Sequence, residues 1–278
     1  MTARLGAAAP VVSGVSFSAA SLAGARWAAR HALQRGRGLR LVHACRDLGE
    51  VDDARGRLDE LAGRLQEASP LLDVSARVVV ASAEHALIAE SHTAGMIVMG
   101  GPAPDATSVL ASTVSARSRC PVTAAPAGVG SGHPDKSTLP VAVGISGDAL
   151  AEPTLRAAFL LAAALNTGLR VVCCTLDDDS AAPVAVPDIA QAALSATRAC
   201  AVHHPSVPVD VRMARSRPTT GLARHAVLAS MLVIGSSPTA TDTSTSHRLL
   251  RRGTGPVVLV GPRIVPQSTS DHPLLPAK

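Results

Sequence analysis

Gly38–Cys45 reads GLRLVHAC, and Gly168–Thr175 reads GLRVVCCT. The two stretches stand 130 residues apart, and the same offset carries VVSGVS, Val11–Ser16, onto VAVGIS, Val141–Ser146. Further along, MIVMG at Met96–Gly100 matches MLVIG at Met231–Gly235, and Pro121-Val122 matches Pro256-Val257, both at an offset of 135. The chain is therefore written twice, with a small insertion between the second and third strands of the later copy.

Within each copy, short β-branched runs alternate with longer amphipathic ones, the pattern of parallel strands joined by helices. Strands are expected near 10–15, 39–45, 74–80, 96–100 and 121–125, and again near 140–145, 169–175, 208–214, 231–235 and 256–260. Helices in the first copy are expected near 19–35, 51–68, 83–93 and 107–118. Leu155, Ala158, Phe159, Ala162 and Leu165 recur at spacings of three and four, as do Ala25, Ala28, Ala29 and Ala32, so each first helix has an apolar face for the core. The expected organisation is one domain over 1–126, a Pro/Gly/Ser linker over 127–138, a second domain over 139–263 and a flexible tail over 264–278.

Composition narrows the function. Trp27, Phe17 and Phe159 are the whole aromatic content of 278 residues. Stacking platforms for single-stranded nucleic acid are thereby excluded in practice. The formal charge is +5, but the arginines are scattered and accompany no helix-turn-helix or zinc signature, which argues against nucleic acid as a partner. Five cysteines, an odd number without CxxC spacing, argue against a disulfide framework and fit a reducing cytoplasm. The longest apolar run, Ala157–Leu165, is far short of the roughly 20 residues that span a bilayer, so no membrane association is expected.

A strand ending near Ser-x-Ser, an Ala- and Arg-rich helix, then GLRLVHA, later MIVMG and finally CPV: this order of phrases resembles the universal stress protein family. The first copy carries it from Val11 to Ala44, at Ala94–Gly101 and at Arg119–Val122; the second carries it in Val141–Val172, SMLVIGS and GPVVLV. The tandem arrangement looks like the actinobacterial branch of the family. The resemblance implies two doubly wound five-stranded parallel sheets of Rossmann-like type. It also implies pairing of the fifth strands, here as an intramolecular pseudo-dimer with Val122, Val257, Val258 and Leu259 buried between the halves.

Family members that bind ATP resemble one another in an Asp at the end of the first strand and a Gly-x2-Gly-x9-Gly-Ser/Thr loop after the fourth. Glycines there let backbone N–H groups approach the anion, and the next helix adds its positive end. In this chain the Asp position is Ser16 in the first copy and Ser146 in the second. The loop positions fall on Gly100, Gly101 and Ser108, and on Gly235, Ser236 and Ser244. Charge-assisted hydrogen bonds contribute roughly 1.5–3 kcal/mol each, so losing the Asp and two or three donors weakens ATP by about a thousandfold or more. These eight residues are expected to be a vestigial nucleotide site, with no catalytic residue, no metal and no tightly held cofactor.

Other groups are weighed more briefly. Asp47, Asp52-Asp53 and Asp177–Asp179 lie just past second strands, where ligands of such sheets bind, but read better as loop and helix-cap acids. Arg212, Arg215 and Arg217 alternate along the third strand of the second copy and read as a solvated edge. The ten histidines show no metal spacing and are expected at the surface. Cys173 and Cys174 point to opposite faces of one strand. The function expected is a non-catalytic stress-response or dormancy protein acting through an unidentified protein partner or a weak small ligand; the alternative is an ATP- or adenosine-nucleotide-binding switch with one residual site.

Overall fold

The apolar runs of the two copies form strands that are buried on both faces, as parallel strands between helix layers must be. The computed structural model describes residues 9–101, 106–126, 136, 138–146, 148–176, 186–236 and 244–264. In the first half these form β1 (Val11–Gly14), α1 (Ala19–Gln34), β2 (Leu39–Cys45), α2 (Val51–Ala68), β3 (Val74–Val80), α3 (Ala83–Glu90), β4 (Met96–Gly101), α4 (Ala106–Arg117) and β5 (Val122–Pro126). The second half repeats the order as β6 (Val141–Ile145), α5 (Ala151–Ala164), β7 (Leu169–Cys174), α6 (Val186–Ala201), β8 (Val209–Ala214), α7 (Pro218–Val227), β9 (Met231–Gly235), α8 (Thr245–Arg252) and β10 (Val257–Val260). Every expected strand is present, most within a residue of the expected bounds.

The ten strands make a single sheet in the order β3-β2-β1-β4-β5-β10-β9-β6-β7-β8. All neighbours within a half are parallel. The fifth strands meet antiparallel, with Val122 opposite Leu259, Thr123 opposite Val258 and Ala124 opposite Val257. The pseudo-dimer expected from the fifth strands is thus the centre of the sheet, and its outer edges are β3 and β8. Val122, Val257, Val258 and Leu259 are all essentially inaccessible. Because side chains alternate along each strand, the seam feeds two cores. Val258 and Val260 join Ala28, Leu41, Met96, Ala158 and Phe159 on one face; Val257 and Leu259 join Val12, Ile97, Val122 and Leu232 on the other. Both cores run through the seam without a break.

The repeat reaches down to the backbone. α1 and α5 end in Gly36 and Asn166, both in the left-handed region with φ of 59° and 50° and 130 residues apart. The N–H groups of Arg37 and Thr167 close back on the carbonyls of Ala32 and Ala162 at 2.9 and 3.0 Å. Gly and Asn are the residues that tolerate this left-handed helix stop.

Charges under the outer strands are handled differently in the two copies. Glu90, buried at 4% exposure, takes Arg40 Nη1 and Arg77 Nη1 on its two oxygens, each at 2.8 Å. The matching positions in the second copy are Arg170, Arg212 and, in place of the acid, His225. There Asp210 on the edge strand supplies the carboxylate, 3.2 Å from Arg170 and 2.9 Å from Arg212. Of the three arginines expected along the third strand, only Arg212 lies in it; Arg215 follows the strand and Arg217 begins the next helix as the N-cap of α7.

Candidate functional site

At the carboxyl ends of β1, β2 and β4 the first half opens a pocket of about 130 Å³, bounded among others by Ser16, Ser18, Ser21, His43 and Gly100. The serines are wired to one another. Ser18 caps α1, its Oγ accepting from Ser21 N–H at 3.2 Å, while Ser21 Oγ donates to the Ser18 carbonyl at 3.0 Å and accepts from Ser16 N–H at 3.2 Å. Ser16 Oγ lies 3.1 Å from Ser18 Oγ and is exposed. His43 Nδ1 stands 2.7 Å from the Val15 carbonyl. A carbonyl can only accept, so Nδ1 carries the proton. The His43 ring packs on Phe17 with centroids 4.7 Å apart, and the Arg57 guanidinium sits 4.1 Å above the Phe17 ring. Phe17 itself has φ of 60°, an uncommon conformation for a bulky residue; the ring contacts hold it there. Among the described residues lining the pocket there is no lysine or arginine.

Gly100 has another employer. A Cβ built on it would lie 2.0 Å from the Ala20 carbonyl oxygen and 2.6 Å from Ser21 Cα, because the first turn of α1 rests on the end of β4. Gly24 returns the contact: its Cβ would come 2.7 Å from Gly100 N. Gly101 is under no such pressure, with Ala124 Cβ at an ordinary 3.5 Å. The continuation of this stretch, 102–105, lies outside the described residues, as does 237–243 in the second half.

The serines of the two loops sit at the junction of the halves. Ser108, buried in α4, places its Oγ 3.0 Å from Nε2 of His247 on α8. Ser236, also buried, accepts at 2.8 Å from Ser115 Oγ across the seam, and its N–H donates to the Val260 carbonyl at 2.9 Å. Ser244 is the N-cap of α8, accepting from His247 N–H at 3.3 Å. Gly235 faces Leu150 Cβ and Thr154 Oγ1, at 3.1 and 3.3 Å from a Cβ built on it. Ser146 is exposed and donates to Asp148 Oδ2 at 2.8 Å, while Asp148 Oδ1 accepts from Leu150 N–H at 2.9 Å. Of the eight residues named from the sequence, Ser16 and Gly100 share a pocket; Ser108, Ser236 and Ser244 belong to inter-half or capping bonds.

Sequence reasoning passed over Asp148, which stands 130 residues beyond Ser18 and takes its place in the second copy. It also placed all histidines at the surface, which His31 and His247 correct: they are 2% and 5% exposed. His31 stacks on Trp27 at 4.8 Å, and burial, helped by Arg35, pushes its pKa down to about 3. Asp47 accepts from Gly49 N–H at 2.8 Å, and Asp52 and Asp53 lie in the first turn of α2. Asp177–Asp179 fall outside the described residues. Cys173 and Cys174 face opposite cores, and burial pushes the Cys173 thiol up. Among the described residues there is no metal-holding group of His, Cys, Asp and Glu, and no helix is long and apolar enough to cross a membrane.

No family model matches this sequence, and no curated protein matches it. Solved structures do. Over 91% of this chain and 96% of that chain, the fold is similar to a universal stress protein from Archaeoglobus fulgidus DSM 4304, with 16% identity and a TM-score of 0.66. This chain carries the universal stress protein fold twice. A functionally unknown protein from Pseudomonas aeruginosa PAO1 is similar at 15% identity and a TM-score of 0.56, covering 91% of this chain and 92% of that one. The cytoplasmic domain of a prokaryotic cation chloride cotransporter follows at 13% identity and 0.53, covering 90% and 94%. At these identities the likeness is one of fold.

Proposed function

We propose that this chain is a non-catalytic, cytoplasmic stress-response or dormancy protein of universal stress type, acting through protein contacts or a weakly bound small ligand. The observation that carries the reading is the use made of the nucleotide-edge residues. Gly100 is covered by α1, and Ser108 and Ser236 are bonded across the seam. The pocket left in the first half, at about 130 Å³, is well below the roughly 300–1,000 Å³ typical of small-molecule sites. Its described lining offers serines and an imidazole but no lysine or arginine for a triphosphate. The five cysteines are free, in keeping with a reducing compartment.

A second reading has one observation in its favour. Ser16, Ser18 and His43 converge at the carboxyl edge of the first sheet, where ligands of such sheets bind, and they offer hydrogen-bonding groups suited to the nucleoside portion of an adenosine compound. A thermal-shift screen of the full chain with ATP, AMP and cyclic AMP, joined to a turnover assay with radiolabelled ATP, separates the readings. No turnover and no shift at submillimolar nucleotide supports the binding-protein reading. A saturable shift lost in Ser16→Leu establishes the switch, and turnover would overturn both.

A further inference from the structure

A second cavity lies at the opposite edge of the first sheet. It measures about 700 Å³ and opens between α5 and α6 of the second half and the amino-terminal ends of β4 and β5 of the first. Its floor is apolar, with Met96, Ala157, Leu161 and Cys200 buried beneath it. The volume falls within the range of small-molecule sites, and the cavity is separate from the serine-lined pocket.

The repeat explains why it is there. Ala157 and Leu161 correspond to Trp27 and His31 of the first copy, at the offset of 130. In the first copy those positions hold two stacked rings, 4.8 Å apart and buried. In the second they hold a methyl group and an isobutyl group, and the space remains. Two of the three cations of the lining are equally particular to one copy: Arg35 and Arg119 correspond to Leu165 and Thr254, whereas Arg156 is matched by Arg26.

The polar groups set the sign of the ligand. Among the described residues, Arg35, Arg119 and Arg156 line the cavity against one carboxylate, Glu152, which Arg156 holds at 3.1 Å. Arg35 Nε is buried without a hydrogen-bond partner. Burial, with Arg37 nearby, pushes the Arg35 pKa down to about 10. Arg35 as a whole is half-buried, but buried donors such as its Nε are nearly always matched. His204 stacks on Phe159 at 5.7 Å, and burial, with His203 beside it, pushes its pKa down, which disfavours a charge on its ring.

We propose that this cavity binds an amphipathic organic acid of the fatty-acid class, its carboxylate on Arg35 and Arg119 and its apolar body over Met96, Ala157 and Leu161. The test uses the full chain and the fluorescent anion 8-anilinonaphthalene-1-sulfonate, displaced by decanoate or by decyltrimethylammonium below their micellar concentrations. The expected result is one saturable site from which decanoate displaces the dye at least tenfold better than the cation. Replacing Arg35 by Leu together with Arg119 by Thr, the residues of the other copy, weakens decanoate at least tenfold. Ala157→Trp, which restores the bulk of the first copy, abolishes it. Should that variant fail to fold by circular dichroism, Ala199→Trp at the exposed rim serves instead. Absence of displacement by 1 mM decanoate, equal displacement by the cation, or unchanged affinity in the double arginine variant overturns the proposal.

Discussion

Two copies of one fold neutralise the same pair of arginines with different acids. Under β2 and β3, Arg40 and Arg77 close on Glu90, which comes from α3 and is buried. Under β7 and β8, Arg170 and Arg212 close on Asp210, which comes from the edge strand and is 40% exposed, while His225 takes the helix position and is held below its ordinary pKa by burial and by the two arginines. The difference teaches that the repeat preserves the sheet and the cations while the counter-charge moves freely. Energetically the two arrangements differ, since Glu90 is buried and its bonds to Arg40 and Arg77 are sheltered on the acid's side, whereas the Asp210 pairs are screened by water.

The largest expected effect follows. Glu90→Ala should destabilise the protein by about 2–3 kcal/mol in urea unfolding, the worth of its charge-assisted bonds to Arg40 and Arg77, and Asp210→Ala by about 1 kcal/mol or less. Equal losses would break the contrast.

Next come the glycines that end the fourth strands. Gly100→Ala drives a methyl group into the Ala20 carbonyl and should cost about 2–3 kcal/mol, an overpacking penalty. Gly235→Ala meets the Leu150 and Thr154 side chains at 3.1 and 3.3 Å and should cost less than about 1 kcal/mol by the same denaturation. A tolerated alanine at 100 would contradict the packing role given to that glycine.

The acid response separates the first helices. His31 has a folded pKa of about 3, below its ordinary value of 6.5, so as pH falls the unfolded chain takes the proton first. The stability due to a neutral His31 is complete above about pH 6.5 and is lost below it toward pH 3, at roughly 1.4 kcal/mol per pH unit. His31→Leu, the residue found at 161, should flatten that part of the acid limb. Trp27, the chain's single tryptophan, reports the transition in its fluorescence. An unchanged limb would remove His31 as its cause.

The smallest effects belong to the seam. Ser108→Ala and Ser236→Ala each remove a buried hydroxyl bonded across the halves and should each lower stability by about 1 kcal/mol, with no change in the salt dependence of unfolding.

The strands were legible because apolar runs buried on both faces leave a strong local signal, and because each run occurs twice. The antiparallel seam followed from the family resemblance and from two apolar fifth strands in need of cover. Ser108 and His247 could not be paired on paper: 139 residues separate them, and neither carries a mark of its partner. His31 had a signal in its four-residue spacing from Trp27, which puts both on one helix face; an imidazole on an aromatic neighbour reads as polar until burial is seen. Asp148 lay in plain view at the repeat offset, hidden by aligning the acid position on Ser146. Why Gly100 is a glycine was the least legible of all, because a phosphate loop and a helix resting on a strand demand the same missing side chain.

That ambiguity is resolved most directly by calorimetric titration of the full chain with ATP. If the glycine and the serines serve the α1 contact and the seam, ATP binds no tighter than the high micromolar range. A sub-micromolar dissociation constant would contradict the account.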